Sequence, residues 1–177
     1  MRRILCSPSL AQAELPFELP RFDRSPGGPA GQSFASMTDP QLIAYRDALR
    51  RHLDTEVEAF DPHIIHAQHL WIWGQLALET GVPYVLNAWE PELLEYARDD
   101  RYRRWVDQAV ENASWILAPD PELRQKVADA FESVDEHTLA MAPQLLPLDA
   151  GASASDPKGA SERLIALYEA ARRQRFG

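Results

Sequence analysis

Between Thr38 and Ala142, short apolar runs alternate with segments whose apolar residues recur every three or four positions. This alternation limits the fold more than any other feature. Parallel strands cannot be joined by a tight turn and need a crossover, usually a helix, between them. Strands are predicted at His63–Ala67, Pro83–Asn87, Trp115–Ala118 and, more weakly, Thr138–Ala142, with an earlier one at Arg3–Cys6. The expected class is α/β: a Rossmann-like parallel sheet with helices on both faces.

The helices carry clear punctuation. Thr38 and Gln41 have capping-box spacing with Pro40 in the first turn, and Leu42, Tyr45, Leu49, Leu53, Val57 and Phe60 form one stripe up to Asp61-Pro62. A helix over Trp71–Thr80 ends at Gly81, a C-cap signal. A short helix is predicted at Pro91–Ala97 and a longer one at Arg101–Ala113. Asp120 caps another that opens at Pro121 and runs to about Phe131. Ser161 would cap a last amphipathic helix bearing Leu164, Ile165, Leu167 and Tyr168. Domain organisation follows: one domain over residues 1–149 with a long Pro/Gly/Ser loop at 7–37, a polar linker at 150–161, and a returning helix at 162–177.

Composition closes off other classes. The formal net charge of -9 argues against nucleic-acid binding, which calls for a basic surplus. The basic cluster Arg172, Arg173 and Arg175 suits a helix C-terminus. No apolar run approaches the roughly 20 residues that span a membrane, and Pro8 interrupts the N-terminal apolar run too early for a signal peptide. A cytoplasmic location is expected. The single cysteine, Cys6, leaves no internal disulfide framework. P-loop, dinucleotide and nucleophile-elbow motifs are absent from the sequence.

In a parallel sheet, ligands sit beyond the carboxyl ends of the strands. The windows to examine are Ser7–Leu10, Gln68–Trp73, Asn87–Glu92 and Pro119-Asp120. His63, His66 and His69 are close in sequence, but alternation along a strand sends His66 to the opposite face from the other two, and no metal site is expected. His69, just past the strand, is the better ligand contact. Trp71, Trp73 and Trp89 would converge on one sheet edge, where aromatic faces stack on a sugar, an aglycone or a partner side chain; core packing is the plain alternative for Trp71 and Trp73. Glu90, Glu92 and Glu95 lie beside Trp89. A solvated acidic loop is the ordinary reading, and a general base of raised pKa the functional one.

The stretch Asp61-Pro62-His63-Ile64-Ile65-His66-Ala67-Gln68-His69-Leu70-Trp71 resembles a signature of family-four GT-B glycosyltransferases, where "D-V-I-H-x-H/Q-H" precedes a helix and then "G-[VI]-P-[YL]-V". Gly81-Val82-Pro83-Tyr84-Val85 matches that last piece. Ala113–Pro119 is similar to "A-D-x-V-I-A-x-S", and Ala142-Pro143 to the start of "V-I-P-N-G-V-D". The resemblance spans roughly 38–149 and implies the N-terminal, acceptor-side domain, lacking the donor-binding domain. Departures accompany it. Trp89-Glu90-Pro91-Glu92 stands where the family has "H-G-x-D", Gln144-Leu145 replaces "N-G", and Ser7-Pro8-Ser9-Leu10 replaces a glycine-rich turn.

The implied function is an acceptor-side glycosyltransferase domain that needs a separate donor-binding domain or partner for sugar transfer, or is a fragment of a longer enzyme; the alternative is a non-catalytic binding or regulatory module derived from a glycosyltransferase. Candidate ligand-binding residues are His69, Trp71, Trp73, Asn87, Trp89, Glu90 and Glu92. No cofactor or metal is expected. Expected partners are a donor-domain protein or a second copy of the chain, with a sugar or other small molecule as acceptor.

Overall fold

The computed structural model describes residues 14–19, 34–135, 137–141 and 157–176, with side chains of the last segment described over 161–173. The predicted strand Arg3–Cys6, most of the 7–37 loop and residues 150–156 of the linker lie outside the described residues.

Four strands, β1 (Ile65–Ala67), β2 (Tyr84–Asn87), β3 (Trp115–Ala118) and β4 (Leu139–Met141), form one parallel sheet in the order β1-β2-β3-β4. Six helices accompany them among the described residues: α1 (Asp39–Phe60), α2 (Ile72–Thr80), α3 (Glu90–Arg98), α4 (Asp100–Glu111), α5 (Pro121–Ala130) and α6 (Pro157–Phe176). The fold is α/β and Rossmann-like, as the alternation implies.

The local signals act as their chemistry dictates. Gln41 Oε1 accepts from the Thr38 backbone N–H at 2.8 Å and from its hydroxyl at 3.0 Å, closing the start of α1. Asp61 ends that helix in the left-handed region (φ 48), its N–H returning to Val57 O at 2.9 Å. Short polar side chains tolerate this conformation better than branched ones. Gly81 ends α2 at φ 74, where only glycine is free of strain. Asp120 accepts from Leu123 N at 2.8 Å and opens α5. The last helix begins at Pro157 rather than after Ser161, so the linker is shorter than its polar composition suggests. Proline is pre-set for a first helical turn, and Gly159 does not prevent propagation.

Successive crossovers that keep one hand and one direction put every connecting helix on the same side of the sheet. Tyr84, Leu86, Ile116, Ala118 and Leu139 face that side and are buried in the main core with residues of α1, α2, α4 and α5. Gly74 lets the layer close: a Cβ there would meet Ala109 Cβ at 3.1 Å and Leu86 Cδ2 at 3.2 Å. The opposite face carries Val85, Leu117, Trp115 and Ala140, and α6 covers it with Leu164, Leu167, Tyr168 and Ala171.

Part of the long loop is not loose. Leu15, Phe17 and Leu19 pack against the main core, and Glu14 pairs with Arg51 at 2.6 Å. A 3-10 turn over Phe34–Ser36 precedes α1. Arg101 holds it: its guanidinium donates to Ala35 O (2.9 Å), Met37 O (2.7 Å) and Asp39 Oδ1 (2.8 Å), and grips Asp99 at 2.6 Å. Arg101 in turn holds the Asp99 carboxyl below the usual carboxylate range.

Candidate functional site

The chain leaves β1 at Ala67 and β2 at Asn87, and both exits lie at the carboxyl edge of the sheet. Register places His66 opposite Val85 and Asn87 opposite Leu117, so the two polar side chains share the face covered by α6. His66 Nε2 meets Asn87 Oδ1 at 3.0 Å, and Asn87 Nδ2 donates to Gln68 Oε1 at 2.9 Å. His66 Nδ1 meets the Tyr168 hydroxyl of α6 at 2.5 Å. Both ring nitrogens of His66 are engaged. The chain Tyr168–His66–Asn87–Gln68 fastens the last helix to the edge.

His69 and Glu92 form a second system. Ala88 extends the β2 pairing through its N–H to Leu117 O at 2.9 Å, and Trp89 then caps α3 with extended backbone angles. Pro91 sets the first turn and brings Glu92 round to face the exit of β1. The Glu92 carboxylate meets His69 Nδ1 at 2.6 Å and accepts from Leu70 N at 3.2 Å. Its side chain is 4% exposed, against 28% for His69. Burial pushes the Glu92 carboxyl up, and contact with His69 and with backbone N–H groups pulls part of that back. The Trp89 ring lies 6.1 Å from the His69 ring, tilted by 36°.

The candidate residues thus separate. His69, Trp89 and Glu92 come together, and Asn87 stands at the neighbouring strand end beside His66. Glu90 is exposed and pairs with Lys126 of α5 at 2.5 Å. Trp71 is 8% exposed, edge-on to Phe34 and to Tyr102 with both centroid distances at 4.6 Å. Trp73 is half-buried against the main core. These two follow the packing alternative, and the edge keeps one of the three tryptophans. The acidic cluster is not one solvated loop either: Glu90 is exposed, Glu92 is buried, and Glu95 accepts from Ala35 N at 3.1 Å. Gln68 lay within the window that strand ends define. Tyr168 carried no such signal, since 102 residues separate it from His66.

A small cavity behind Glu92 is lined by Phe34, Trp71, Glu95, Tyr96, Tyr102 and Val106. Among the described residues, no group of three or more His, Cys, Asp or Glu side chains is placed to hold a metal ion. No helix among them is long and apolar enough to cross a membrane.

A parallel sheet of this build, with polar side chains gathered at the β1 and β2 exits, is matched over residues 4–143 by the glycosyl transferase 4-like domain. The chain belongs to that family. Among curated proteins none matches the chain. The family match begins well before residue 38, so it takes in residues 4–6 and the long loop along with the strands and helices. Within this glycosyl transferase 4-like domain, Trp89–Glu92 form the cap and first turn of α3, and the histidine beside them comes from the β1 exit.

Proposed function

We propose that this glycosyltransferase-related domain is the acceptor-side half of a GT-B enzyme. A sugar or other small hydroxyl acceptor lies against Trp89 and His69 at the carboxyl edge of the sheet. The nucleotide-sugar is held by a donor-binding domain from outside these 177 residues. The observation that carries this reading is the meeting of His69, Trp89 and Glu92 at the exits of β1 and β2, the place where open parallel sheets bind their ligands. The exposed Leu94 and the shallow groove between α3 and α5 give such a domain, or a second copy, an apolar edge to meet.

The test is an assay of nucleotide-sugar hydrolysis and transfer by the full chain, alone and with a donor-type domain encoded beside it. The expected result is turnover only in the mixture. Turnover by the chain alone defeats the dependence on a second domain. Acceptor binding without transfer in any mixture favours the second reading, a binding or regulatory module. That reading draws on Trp89 and Glu92 standing where the family places a histidine and an aspartate.

A further inference from the structure

We propose that the cavity behind Glu92 is a binding site for one water molecule, which joins the Tyr102 hydroxyl of α4 to the Glu92 and Glu95 carboxylates of α3. The site is separate from the His69–Trp89 contact and does not depend on the acceptor-side reading.

The orphaned group is the hydroxyl. Tyr102 is 1% exposed, and its oxygen has no hydrogen-bond partner among the described residues. A buried hydroxyl in that state carries the full desolvation penalty, and protein interiors meet such groups with a protein partner or an ordered water. The ring is held in place: Trp71 stands edge-on to it at 4.6 Å, and the Arg101 guanidinium lies 5.9 Å from its centroid. Tyrosines nearby are satisfied. Tyr84, equally deep, donates to Ala109 O at 2.6 Å, and Tyr96, on the same cavity wall, donates to Asp107 Oδ1 at 2.7 Å.

The cavity supplies the remaining partners. Tyr102, Glu92 and Glu95 all line it, and Phe34, Trp71 and Val106 complete its apolar wall. The room it leaves for a water-sized molecule is about 10 Å³, close to the least that one water occupies. Such a space stays dry when its lining is apolar and fills when a few polar groups converge on it. Glu92 already meets His69 Nδ1 and Leu70 N, and Glu95 accepts from Ala35 N. A carboxylate offers about four lone-pair sites, so both keep capacity to accept. Burial, then the charges of Asp99 and Glu95, push the Tyr102 pKa up, which leaves its hydroxyl a donor at neutral pH. The water accepts from Tyr102 and donates one hydrogen to each carboxylate. That makes about three bonds, the usual number for a buried water.

A cation of the same size suits the cavity less well. The Arg101 guanidinium already stands against Tyr102, and the described residues hold no group of three or more metal-ligating side chains. The water ties α4 to the first turns of α3, which present Glu92 to His69. Phe34, on the turn that Arg101 clamps, closes over it.

A crystal structure of the full chain, at a resolution that shows ordered solvent, reads the site directly. The expected result is one water about 2.8 Å from Tyr102 Oη, within hydrogen-bond reach of a Glu92 or Glu95 oxygen. A dry cavity, or a Tyr102 hydroxyl bonded straight to a protein atom, overturns the proposal. Tyr102→Phe supplies an independent sign, since it keeps the ring and its packing. With the water in place the variant loses a hydrogen bond, and urea unfolding should show the folding equilibrium constant reduced about fivefold. With a dry cavity the same change removes an unsatisfied hydroxyl. A constant that holds or rises therefore overturns the proposal as well.

Discussion

The two faces of the sheet are closed by different means. One is covered by helices that the strand connections supply, together with α1, which precedes β1. These helices are packed on one another as well as on the strands, as the Gly74–Ala109 approach shows. The other is covered by α6, a single helix that arrives after the sheet is complete. The crossover face owes its cover to topology, which fixes the hand of each connection. The α6 face owes its cover to side chains alone: Leu164 and Ala171 against Val85 and Leu117, with Tyr168 on His66. Each histidine system belongs to one kind of cover. His69 is held by a crossover helix and keeps one nitrogen without a hydrogen bond among the described residues, whereas His66 is held by the terminal helix and has both engaged.

The sharpest test sets two equivalent leucines against each other. Leu86 and Leu117 are 0% and 1% exposed, on neighbouring strands and opposite faces. Cavity cost depends on how far the surroundings collapse. Leu86→Ala is expected to cost about 4 kcal/mol, because an interlocked layer cannot follow it. Leu117→Ala is expected to cost about 3 kcal/mol, because a single helix can settle inward. Urea unfolding of both variants measures the difference, and equal losses would break the distinction between the faces.

Arg101→Ala attacks the crossover side from its rim. It leaves Ala35 O and Met37 O without their donor and frees the turn that carries Phe34 into the core. The expected loss is about 2 kcal/mol, with rapid proteolysis near residues 34–38 as the local readout. A loss no larger than that of Arg103→Ala, an exposed arginine of the same helix, would reduce the clamp to an ordinary surface ion pair.

Arg101 also marks where sequence reading stops. The four described strands, the cap at Asp120, the break at Asp61-Pro62 and the glycine stop at Gly81 were legible because each depends on residues within a few positions. The Arg101 clamp spans more than sixty residues and the Tyr168–His66 contact 102, and neither leaves a local pattern. Glu92 was half legible. Its place after β2 marked it, but its burial depends on α3 beginning at Glu90, one residue earlier than the sequence suggests, which turns the carboxylate inward. Trp71 and Trp73 show the converse: spacing put them at the edge, and the core took the first and much of the second because apolar area outweighs a place near the ligand. The start of α6 was misjudged because a small, polar segment reads as linker until Pro157 is given its role at a first helical turn.

On the α6 side, Tyr168→Phe removes one hydroxyl and keeps the ring against His66, which lies 5.7 Å away centroid to centroid. The expected cost is about 1 kcal/mol. It should be confined to α6, and amide hydrogen exchange would show faster opening of that helix with β2 and β3 unchanged. Exchange that quickens equally in α2 would mean the two covers open as one unit, and the contrast between them would fail.

The smallest effect is a slope. Glu92 is the carboxylate that the crossover cover buries, and burial raises its pKa in the folded chain. The folded state then holds that proton more tightly than the unfolded chain does. The stability it contributes is present below the unfolded carboxyl pKa and is lost as pH rises through the folded value. Asp99 has the opposite sign: Arg101 lowers its pKa, so its contribution is present above the unfolded value and is lost as pH falls through the folded one. Glu92→Gln removes the first dependence and leaves the second. The melting temperature of E92Q minus that of wild type should therefore grow as pH rises from the acid range towards neutrality, and the same difference for Asp99→Asn should fall. Thermal unfolding of both variants across that range reads the two signs directly. A difference for E92Q that is flat or falls with pH would mean that His69 and Leu70 compensate the carboxylate fully, and that the crossover cover buries this charge at no cost.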